Sequence, residues 1–361
     1  MPSSRKPGPH RQRTPGITDV ARMAGVSTAT VSRALVTPER VRPETRDAVM
    51  AAVAATGYTP NQAARSLRAR RTRLAMVIVP TIANLVFPHV IRGIDAALFE
   101  AGYGLIIGNT DNQRSREGHF VDLAFARQVD GLLLMNGWMP MRDGRALTDS
   151  GLPIVALSAA IPGPDIPKVV VQDREASAEA AAHLIGLGHV RLGYISGPAG
   201  NWVDAQRWQG FREGVAAAGL DPAEITFWQG EFDLASGTAA ADAFLALDRR
   251  PTGVYAASDA MAVAFIKRLR QAGVSVPGDV SVIGFDGIEL AFCSEPTLTT
   301  FHQPLNEMGR TGARILLQMM SDPGRSQPEW TRLPVTLAPG GSTGPAPAPA
   351  RRTRKPARVA G

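Results

Sequence analysis

Short apolar runs alternate with longer amphipathic stretches over most of the chain, from Leu74 to about residue 283. The apolar runs have the length of buried strands; they are LAMVIVP, GLIIGN, GLLLMN, PIVALS, KVVVQD, RLGYISGP, TFWQGEF, GVYAAS and SVIGFDG. The stretches between them carry apolar residues at helical spacing and cover residues 87–100, 117–128, 175–187, 204–218, 235–247 and 260–272. Continuous apolar strands joined by helices are typical of parallel sheets that are covered on both faces. The pattern therefore predicts an α/β core.

The rhythm of strands and helices restarts near residue 170, which predicts two similar parallel-sheet subdomains over about 74–172 and 173–300. The last part, 301–343, contains a helical stretch and the strand LPVTLAP, and we expect it to pack back on both subdomains. Open parallel sheets bind ligands in a crevice beyond the carboxyl ends of their strands. Polar residues follow several predicted strands at this position: Asn109, Thr110, Asp111, Gln172, Asp173, Ser258, Asp259 and Asp286.

A cluster of short helices is predicted ahead of this core, over residues 17–60. Thr18 is expected to cap a first helix that Gly25 ends, and Ser27 to cap a second one. Pro43 suits the first turn of a third helix. Small apolar residues fall at helical spacing and are expected to form one core: Val20, Ala21, Ala24, Val31, Ala34, Leu35, Val49, Ala52 and Val53. The segment is therefore predicted to be an all-α domain.

Basic residues are concentrated at the two ends of the chain. Residues 1–73 hold 14 Lys and Arg against 4 Asp and Glu, and residues 344–361 hold 5 basic residues and no acidic one. A basic head on an acidic body is typical of a domain that binds a polyanion. The Pro-rich segments 1–16 and 344–361 are predicted to be disordered basic arms.

The composition narrows the class of protein further. Cys293 is the single cysteine of the sequence, so neither an intramolecular disulfide nor a zinc site of the usual thiolate type is expected. The charged N-terminus lacks the apolar stretch of a signal peptide, and no run approaches the length of a membrane span. We therefore expect a cytoplasmic protein with no membrane partner.

The stretch ITDVARMAGVSTATVSRAL contains two short helices with a glycine at the turn between them. This is the pattern of a helix-turn-helix, whose second helix enters the major groove of DNA. The outer face of that helix must be small and able to form hydrogen bonds, as the residues of VSTATVSRAL are. An ordinary α-hairpin in a small bundle is the alternative interpretation, but it does not account for the basic surroundings.

The chain resembles the LacI family of bacterial transcription repressors from about Ile17 to Thr343. The motifs that carry the likeness are ITDVARMAGVSTATVSRAL, GYTPNQAARSL, FPHVIRGIDAAL, VDGLLL, LGHVRLGYISGP, SVIGFDGIELA and PTLTTFHQP. The resemblance implies a helix-turn-helix headpiece at 17–60, a hinge helix and linker at 61–73, and a core over 74–343 similar to periplasmic sugar-binding proteins. It also implies a homodimer, or a tetramer, on a double-stranded DNA operator that a small-molecule effector controls from the crevice.

The family pattern assigns roles in DNA binding to matching residues. Thr28, Ala29 and Arg33 match positions that read bases, and an Arg can bind both acceptors of a guanine. Residues at backbone-contact positions are Ser27, Thr30, Ser32, Thr45 and Tyr58. Residues of the implied hinge helix are Asn61, Ala64, Leu67 and Arg68. In this pattern Leu67 wedges between base pairs in the minor groove, and the helix is too short to form alone, so we expect it to order on DNA.

Phe87, Asp111, Arg207 and Asp286 match positions that line the ligand crevice of the family. Trp202 is a candidate for stacking on a ligand, and Asp259 is a further candidate because it follows a predicted strand. An Arg beside carboxylates and an aromatic ring suits a sugar or a nucleoside-like molecule. The alternatives are structural: Asp286 as the cap of a turn, Arg207 as a surface residue, and Trp202 as a loop anchor.

Three functions are compatible with the sequence. The first is a sequence-specific transcription regulator, and the second is a cytoplasmic ligand-binding protein with only non-specific affinity for nucleic acid. The third, an α/β enzyme, is the weakest, because no nucleophile, base or metal-ligand arrangement is evident in the sequence. No cofactor or metal is expected. The sequence favours neither an effector that releases DNA binding (an inducer) nor one that promotes it (a co-repressor).

Overall fold

The structure, a computed structural model, describes residues 15–59, 71–163 and 165–348. Two units make up the chain, Met1–Thr72 and Arg73–Gly361. In the first unit the helices are α1 Ile17–Met23, α2 Thr28–Val36 and α3 Pro43–Thr56. The expected core of this unit is confirmed, since Val20, Val31 and Val49 are fully buried and enclosed by small alanines.

The cap predicted for α1 was wrong. The helix begins at Ile17, so Thr18 lies inside it and Gly16 is the N-cap. The amide of Gly16 donates a hydrogen bond of 2.9 Å to Oδ2 of Asp19, and the Gly16 carbonyl accepts from the Asp19 amide. Because Asp19 satisfies the first free amide, no hydroxyl cap is needed. Gly16 is thus part of the folded unit and not of the arm predicted to extend to residue 16.

The second unit alternates strands and helices as its sequence predicts. Its strands are β1 Leu74–Val79, β2 Gly104–Asn109, β3 Gly131–Leu134, β4 Met141–Arg142, β5 Arg145–Ala146, β6 Ile154–Leu157, β7 Lys168–Val171, β8 Leu192–Ile195, β9 Thr226–Trp228, β10 Gly253–Ala256, β11 Ser281–Ile283, β12 Thr300–His302, β13 Trp330–Leu333 and β14 Thr336–Ala338. Its helices are α4 Phe87–Glu100, α5 Glu117–Phe125, α6 Asp173–Gly186, α7 Trp202–Ala217, α8 Leu234–Leu245, α9 Asp259–Gln271, α10 Glu289–Cys293 and α11 Leu305–Ser321.

Two parallel sheets define two subdomains. The N-subdomain has the strand order β13-β7-β6-β3-β1-β2, and the C-subdomain has the order β11-β10-β8-β9. Every neighbouring pair in both sheets is parallel. The predicted fold class, an all-α headpiece followed by an α/β core of two parallel-sheet subdomains, is therefore confirmed.

The chain passes between the two subdomains three times within the described residues. It leaves the N-subdomain after β7, returns after β12 with α11 packed on α4, and leaves again after β13, because β14 pairs antiparallel with β12. Within the N-subdomain, β4 and β5 form a small hairpin. The sequence pattern did not predict this hairpin, β12, β13 or α10, because none of them is a continuous apolar run like the other core strands, and each is too short for a helical period.

Helices α4 and α11 approach closely because each presents a glycine to the other. A Cβ on Gly93 would collide with the carbonyl of Asn306, and a Cβ on Gly309 would collide with the carbonyl of Val90. The contact joins α4, which belongs to the first run of strands and helices, to α11 near the C-terminus. It thereby holds α11 on the N-subdomain.

The unfolded tail predicted to begin at residue 344 was wrong for its first residues. The carbonyl of Gly344 accepts from Nε2 of His189 at 3.0 Å, and its amide donates to Oγ of Ser281 at 2.9 Å. The amide of Ala346 donates to the carbonyl of Leu187. Backbone groups, which a composition argument does not weigh, hold this Pro/Ala-rich stretch on the C-subdomain. Across the described ranges, none of the helices has the length and apolar character needed to cross a membrane.

Candidate functional site

Helix α2 presents a small polar face to solvent. Ser27 caps it as predicted, with Oγ accepting from the Thr30 amide at 3.1 Å. Val31 and Ala34 face the core, whereas Thr28, Ala29 and Arg33 are exposed. Packing through two buried positions is what keeps a helix of β-branched residues folded despite its weak propensity.

The remaining residues predicted to contact DNA belong either to the headpiece or to the predicted hinge. Thr30, Ser32, Thr45 and Tyr58 are half-buried, and Ser27 is exposed. Tyr58 packs on the headpiece core, and its amide donates to Oγ1 of Thr56 at 3.3 Å. The predicted hinge residues Asn61, Ala64, Leu67 and Arg68 lie outside the described residues.

In the second unit, Arg207 of α7 forms the centre of a buried charge cluster. Its Nε donates to Oδ1 of Asp173 at 2.8 Å, and one terminal nitrogen donates to the Ala257 carbonyl at 2.6 Å. The same nitrogen lies 3.5 Å from Oδ1 of Asp286. Arg207, Asp173 and Asp286 are each more than nine-tenths buried. The structure thus brings together the predicted pair Arg207 and Asp286, and adds Asp173.

Burial and mutual attraction set the charges of this cluster. Burial raises the pKa of Asp286 to about 6, against the opposing attraction of Arg207. Burial also raises the pKa of Asp173, and Arg207 again opposes the shift. For Arg207 burial would lower the pKa, but Asp173 and Asp286 outweigh it, so the pKa lies above its ordinary value. For both carboxyls burial favours the neutral form, and the nearby Arg207 guanidinium favours the charged form.

Asp259 fixes the loop that carries Asp286. Its Oδ2 accepts from the amides of Gly287 at 2.7 Å and Ile288 at 3.0 Å, and its Oδ1 accepts from Thr300 Oγ1 at 2.5 Å. Burial and the charge of Asp286 raise the pKa of Asp259 well above its usual range, while these donors act against the shift. The geometry gives Asp259 a positioning role in the fold.

Asp286 itself has a strained backbone. Its φ is +127°, a region that costs a residue with a side chain about 1–3 kcal/mol. Gln303 donates to its Oδ1 at 2.7 Å, and the amide of Gln303 donates to the Asp286 carbonyl at 3.1 Å. The loop anchored by Asp259 and the bonds to Gln303 together hold the carboxylate of Asp286 beside Arg207.

Two aromatic rings flank Arg207. Its Cζ lies 3.7 Å from the ring centroid of Phe285, which is fully buried, and 5.9 Å from that of Phe232. Phe232 is half-buried and has φ +59°. A Cβ on Gly197 would collide with the Phe232 ring, so this ring lies directly on the chain after β8. Phe232 was not predicted as a site residue, because nothing in the linear sequence signals its positive φ.

Among the described residues, three polar side chains carry buried atoms without a partner, and one of them, Gln327, lies between α11 and β13. Neither the nitrogen nor the oxygen of the Asn136 amide has a partner in the described part of the chain, and Oδ2 of Asp173 has none. Asn136 follows β3 and Asp173 begins α6, directly beyond β7. Both therefore lie at the carboxyl edge of the N-subdomain sheet, where a ligand of an open parallel sheet binds. The sequence named Asp173 only as a polar residue after a strand, and missed Asn136.

The other three predicted crevice residues are not joined to the Arg207 cluster by any contact we observe among the described residues. Asp111 is half-exposed and forms an ion pair of 3.3 Å with Arg116. Phe87 begins α4 and packs on the core. Trp202 begins α7, and its ring stacks on that of Trp330 with centroids 6.4 Å apart. The described ranges also contain no group of three or more His, Cys, Asp or Glu suited to hold a metal ion.

Each of the two units matches a known protein family. Residues 16–61 match the description "Bacterial regulatory proteins, lacI family", and residues 181–343 match "Periplasmic binding protein-like domain". The HTH-type transcriptional repressor CytR of Escherichia coli strain K12 is 36% identical over 304 residues, which cover 84% of this chain and 89% of CytR.

Two solved structures are similar over nearly the whole chain. A complex of the transcriptional regulator CelR with cellobiose has 30% identity and a TM-score of 0.67, over 91% of this chain and 99% of CelR. The lac repressor dimer bound to operator and the anti-inducer ONPF has 24% identity and a TM-score of 0.83, over 92% of this chain and all of that one.

Proposed function

Because this chain belongs to the lacI family of bacterial regulatory proteins, we propose that it binds a palindromic operator as a homodimer and responds to an uncharged, hydroxyl-rich effector. It is a DNA-binding transcription repressor controlled by a small molecule.

On the DNA side, the proposal rests on the exposed face of α2. Arg33 is exposed and can bind guanine with two hydrogen bonds, which is worth about 1–3 kcal/mol of discrimination against the wrong base. Thr28 adds a hydroxyl, and Ala29 offers an apolar contact, for instance to a thymine methyl group. Ser27, Thr30, Ser32, Thr45 and Tyr58 are assigned to the phosphates, which fix register without reading sequence.

The segment that follows the headpiece is assigned to the minor groove of the operator. Asn61, Ala64 and Arg68 are assigned to a hinge helix, in which Leu67 wedges between base pairs and kinks the duplex. Such a helix needs a partner across a two-fold axis, which favours a dimer on two half-sites; a tetramer is compatible with the same contacts. The protein acts in the cytoplasm, on the nucleoid DNA, without a cofactor and without catalysis.

On the effector side, the cluster of Arg207 with Asp173 and Asp286 carries the proposal. Two buried carboxyl groups outnumber the single guanidinium of this cluster, so an anionic effector would meet unfavourable electrostatics. A sugar or nucleoside can instead donate hydroxyls to Oδ2 of Asp173 and exchange hydrogen bonds with the unpaired amide of Asn136. The Phe232 ring beside Arg207 offers an apolar face for a sugar ring. The cellobiose bound to CelR is an uncharged ligand of this kind.

Selection of DNA from a random pool by the full chain tests the DNA side. We expect a palindrome with two half-sites, and footprinting should protect both. Arg33→Ala should reduce the preference for the selected site by about 5- to 100-fold per half-site while leaving affinity for random DNA nearly unchanged. An equal loss on both DNAs would instead support the alternative, a ligand-binding protein with only non-specific affinity for nucleic acid.

A further inference from the structure

A cavity of about 560 Å³ lies where the two subdomains meet, and we call it the Trp pocket. Trp202 contributes one wall from the C-subdomain, at the first turn of α7. The other walls belong to the N-subdomain, and they are Ala160, Ile161, Pro162, Gly163, Asp165, Lys168, Glu329 and Trp330. The volume is in the range of pockets that bind small molecules. A molecule in this cavity would therefore contact both subdomains.

The two tryptophan rings of the pocket lie nearly parallel, with an angle of 28° between their planes. Trp330 is fixed in place before any ligand arrives. The Lys168 ammonium lies 5.2 Å from its ring centroid, the Arg332 guanidinium lies 5.0 Å from it, and its Nε1 donates to Oε1 of Glu329 at 3.0 Å. A preorganised aromatic wall offers a flat apolar surface at little cost in conformational entropy.

The charged groups of the pocket decide which ligand it accepts. Lys168 is 5% exposed, and its ammonium donates to the Ile166 carbonyl at 3.0 Å and to Glu329 at 3.4 Å. These bonds occupy much of its donor capacity. Asp165 and Glu329 add two carboxylates, so the lining carries more negative than positive charge. The pocket therefore suits an uncharged ring that donates hydrogen bonds to carboxylates and stacks on indole.

Helix α7 connects the Trp pocket to the charge cluster. Trp202 and Arg207 are five residues apart on this helix, which corresponds to about 7.5 Å along its axis and about 140° around it. Trp202 is the first residue of the helix, so a ligand of two linked rings that extends past the beginning of the helix can contact both side chains. We propose that the Trp pocket is a second subsite of the crevice and that the effector has two rings, one beside Arg207 and one against Trp202 and Trp330. This proposal rests on the proposed function.

Isothermal titration of the full chain with matched probes tests the second subsite. The pairs are glucose with cellobiose, and ribose with adenosine; each pair compares one ring with two, and the two pairs distinguish a second sugar from a base. In at least one pair we expect the two-ring probe to bind at least tenfold more tightly. Trp330→Ala should remove that gain, since one stacked ring is worth about tenfold or more in affinity, and it should leave the one-ring probe unchanged.

Two further variants distinguish the loss of a stacking ring from a loss of folding. Trp330→Phe keeps an aromatic wall and should retain most of the gain, and Trp202→Ala should repeat the effect of Trp330→Ala from the other subdomain. If one-ring probes bind and the second ring adds nothing, or if both alanine variants keep the gain, the second subsite is wrong and the proposed function stands. If no probe binds, both the subsite and the proposed effector chemistry are wrong.

Discussion

The guanidinium of Arg207 lies on the ring of Phe285, with Cζ 3.7 Å from the ring centroid. Phe285 is fully buried, so this contact closes one side of the Arg207 cation to water. Its hydrogen bonds to carboxylate and carbonyl oxygens lie around the edge of the guanidinium. A cation in this setting stays charged and stationary, and the stability of the second unit is sensitive to its removal.

Removing Arg207 should destabilise the second unit strongly. Arg207→Ala leaves Asp173 and Asp286 buried without their partner, and we expect the free energy of unfolding to fall by about 3–5 kcal/mol. Urea unfolding of the full chain measures this loss. The double variant with Asp173→Asn should recover part of it, because one unpaired charge is removed as well. A loss below about 1 kcal/mol in Arg207→Ala would contradict the assigned ion pairs.

Arg207→Lys separates charge from geometry. A lysine keeps the positive charge, but its single ammonium cannot reproduce the planar set of bonds to Asp173, Ala257 and Asp286. We expect stability between those of the wild type and the alanine variant, and an effector response reduced by at least about tenfold. Titration of the effector against the operator complex measures the response; a full response in the lysine variant would rule out a geometric role for the guanidinium.

Stability should depend on pH through Asp286. Its pKa is raised to about 6 from an ordinary 3.8, so the folded state binds this proton more tightly than the unfolded state. The resulting stabilisation is complete below about pH 4, falls as the pH rises through 6, and is lost above it. We expect the free energy of unfolding to decrease by about 1 kcal/mol between pH 5 and pH 7 on account of this residue.

The variant Asp286→Asn isolates that contribution to the pH dependence. It cannot ionise, so the decrease between pH 5 and pH 7 should be smaller by the amount that Asp286 supplies. Asp173 and Asp259 shift in the same direction and keep part of the dependence. The control is Asp248→Asn at an exposed position, which should keep the wild-type profile. Equal profiles for both variants would refute the assignment.

Two matched glycine variants test the close contact between α4 and α11. Gly309→Ala places a methyl group against the Val90 carbonyl and should lower the melting temperature by several degrees, equivalent to about 1–3 kcal/mol. Gly186→Ala, at the end of α6, meets no atom within 4 Å and should be neutral or slightly stabilising. Thermal unfolding of the full chain compares them, and a Gly309→Ala protein as stable as Gly186→Ala would disprove the close approach.

The cap of α2 predicts a local effect on the headpiece. Ser27→Ala removes the acceptor for the Thr30 amide and should destabilise α2 by about 0.5–2 kcal/mol. Hydrogen exchange of residues 28–36 in the full chain should accelerate accordingly. Thr28→Ala changes an exposed neighbour that makes no cap, and exchange in this variant should stay near the wild-type rate. Equal exchange in the two variants would show that Ser27 does not cap the helix.

Much of the fold follows from local patterns. Phe87–Glu100 has the bounds predicted for it, and most other helices of the core differ from prediction by one to three residues. Ser27 and Pro43 were identified as helix-start residues, because capping is decided within a few residues of the chain. Thr18 shows the limit of this reasoning: Asp19 accepts a hydrogen bond from the Gly16 amide and lets the helix begin ahead of Thr18, which a ranking of residue types for the N-cap does not reveal.

The candidate site, like the fold, was predicted only in part from the sequence. From its motifs the sequence identified Arg207 and Asp286, but it could not pair Arg207 with Asp173, 34 positions earlier in the chain. It selected Trp202 as an aromatic candidate and had no means of placing it against Trp330. Phe232 and Asn136 passed unnoticed, because neither belongs to a local pattern with a chemical meaning.

The sequence by itself determined the class of protein: a helix-turn-helix with a small polar outer face, followed by an α/β core, since periodicity, capping and charge are local properties of the chain. Only the tertiary structure decided how the three passages between subdomains bring Asp173, Arg207 and Asp286 together. It also decided which buried polar atoms were left without partners. The physical reason is that burial, and with it the pKa of Asp286 and the unpaired atoms of Asn136, arises from residues far apart in the chain.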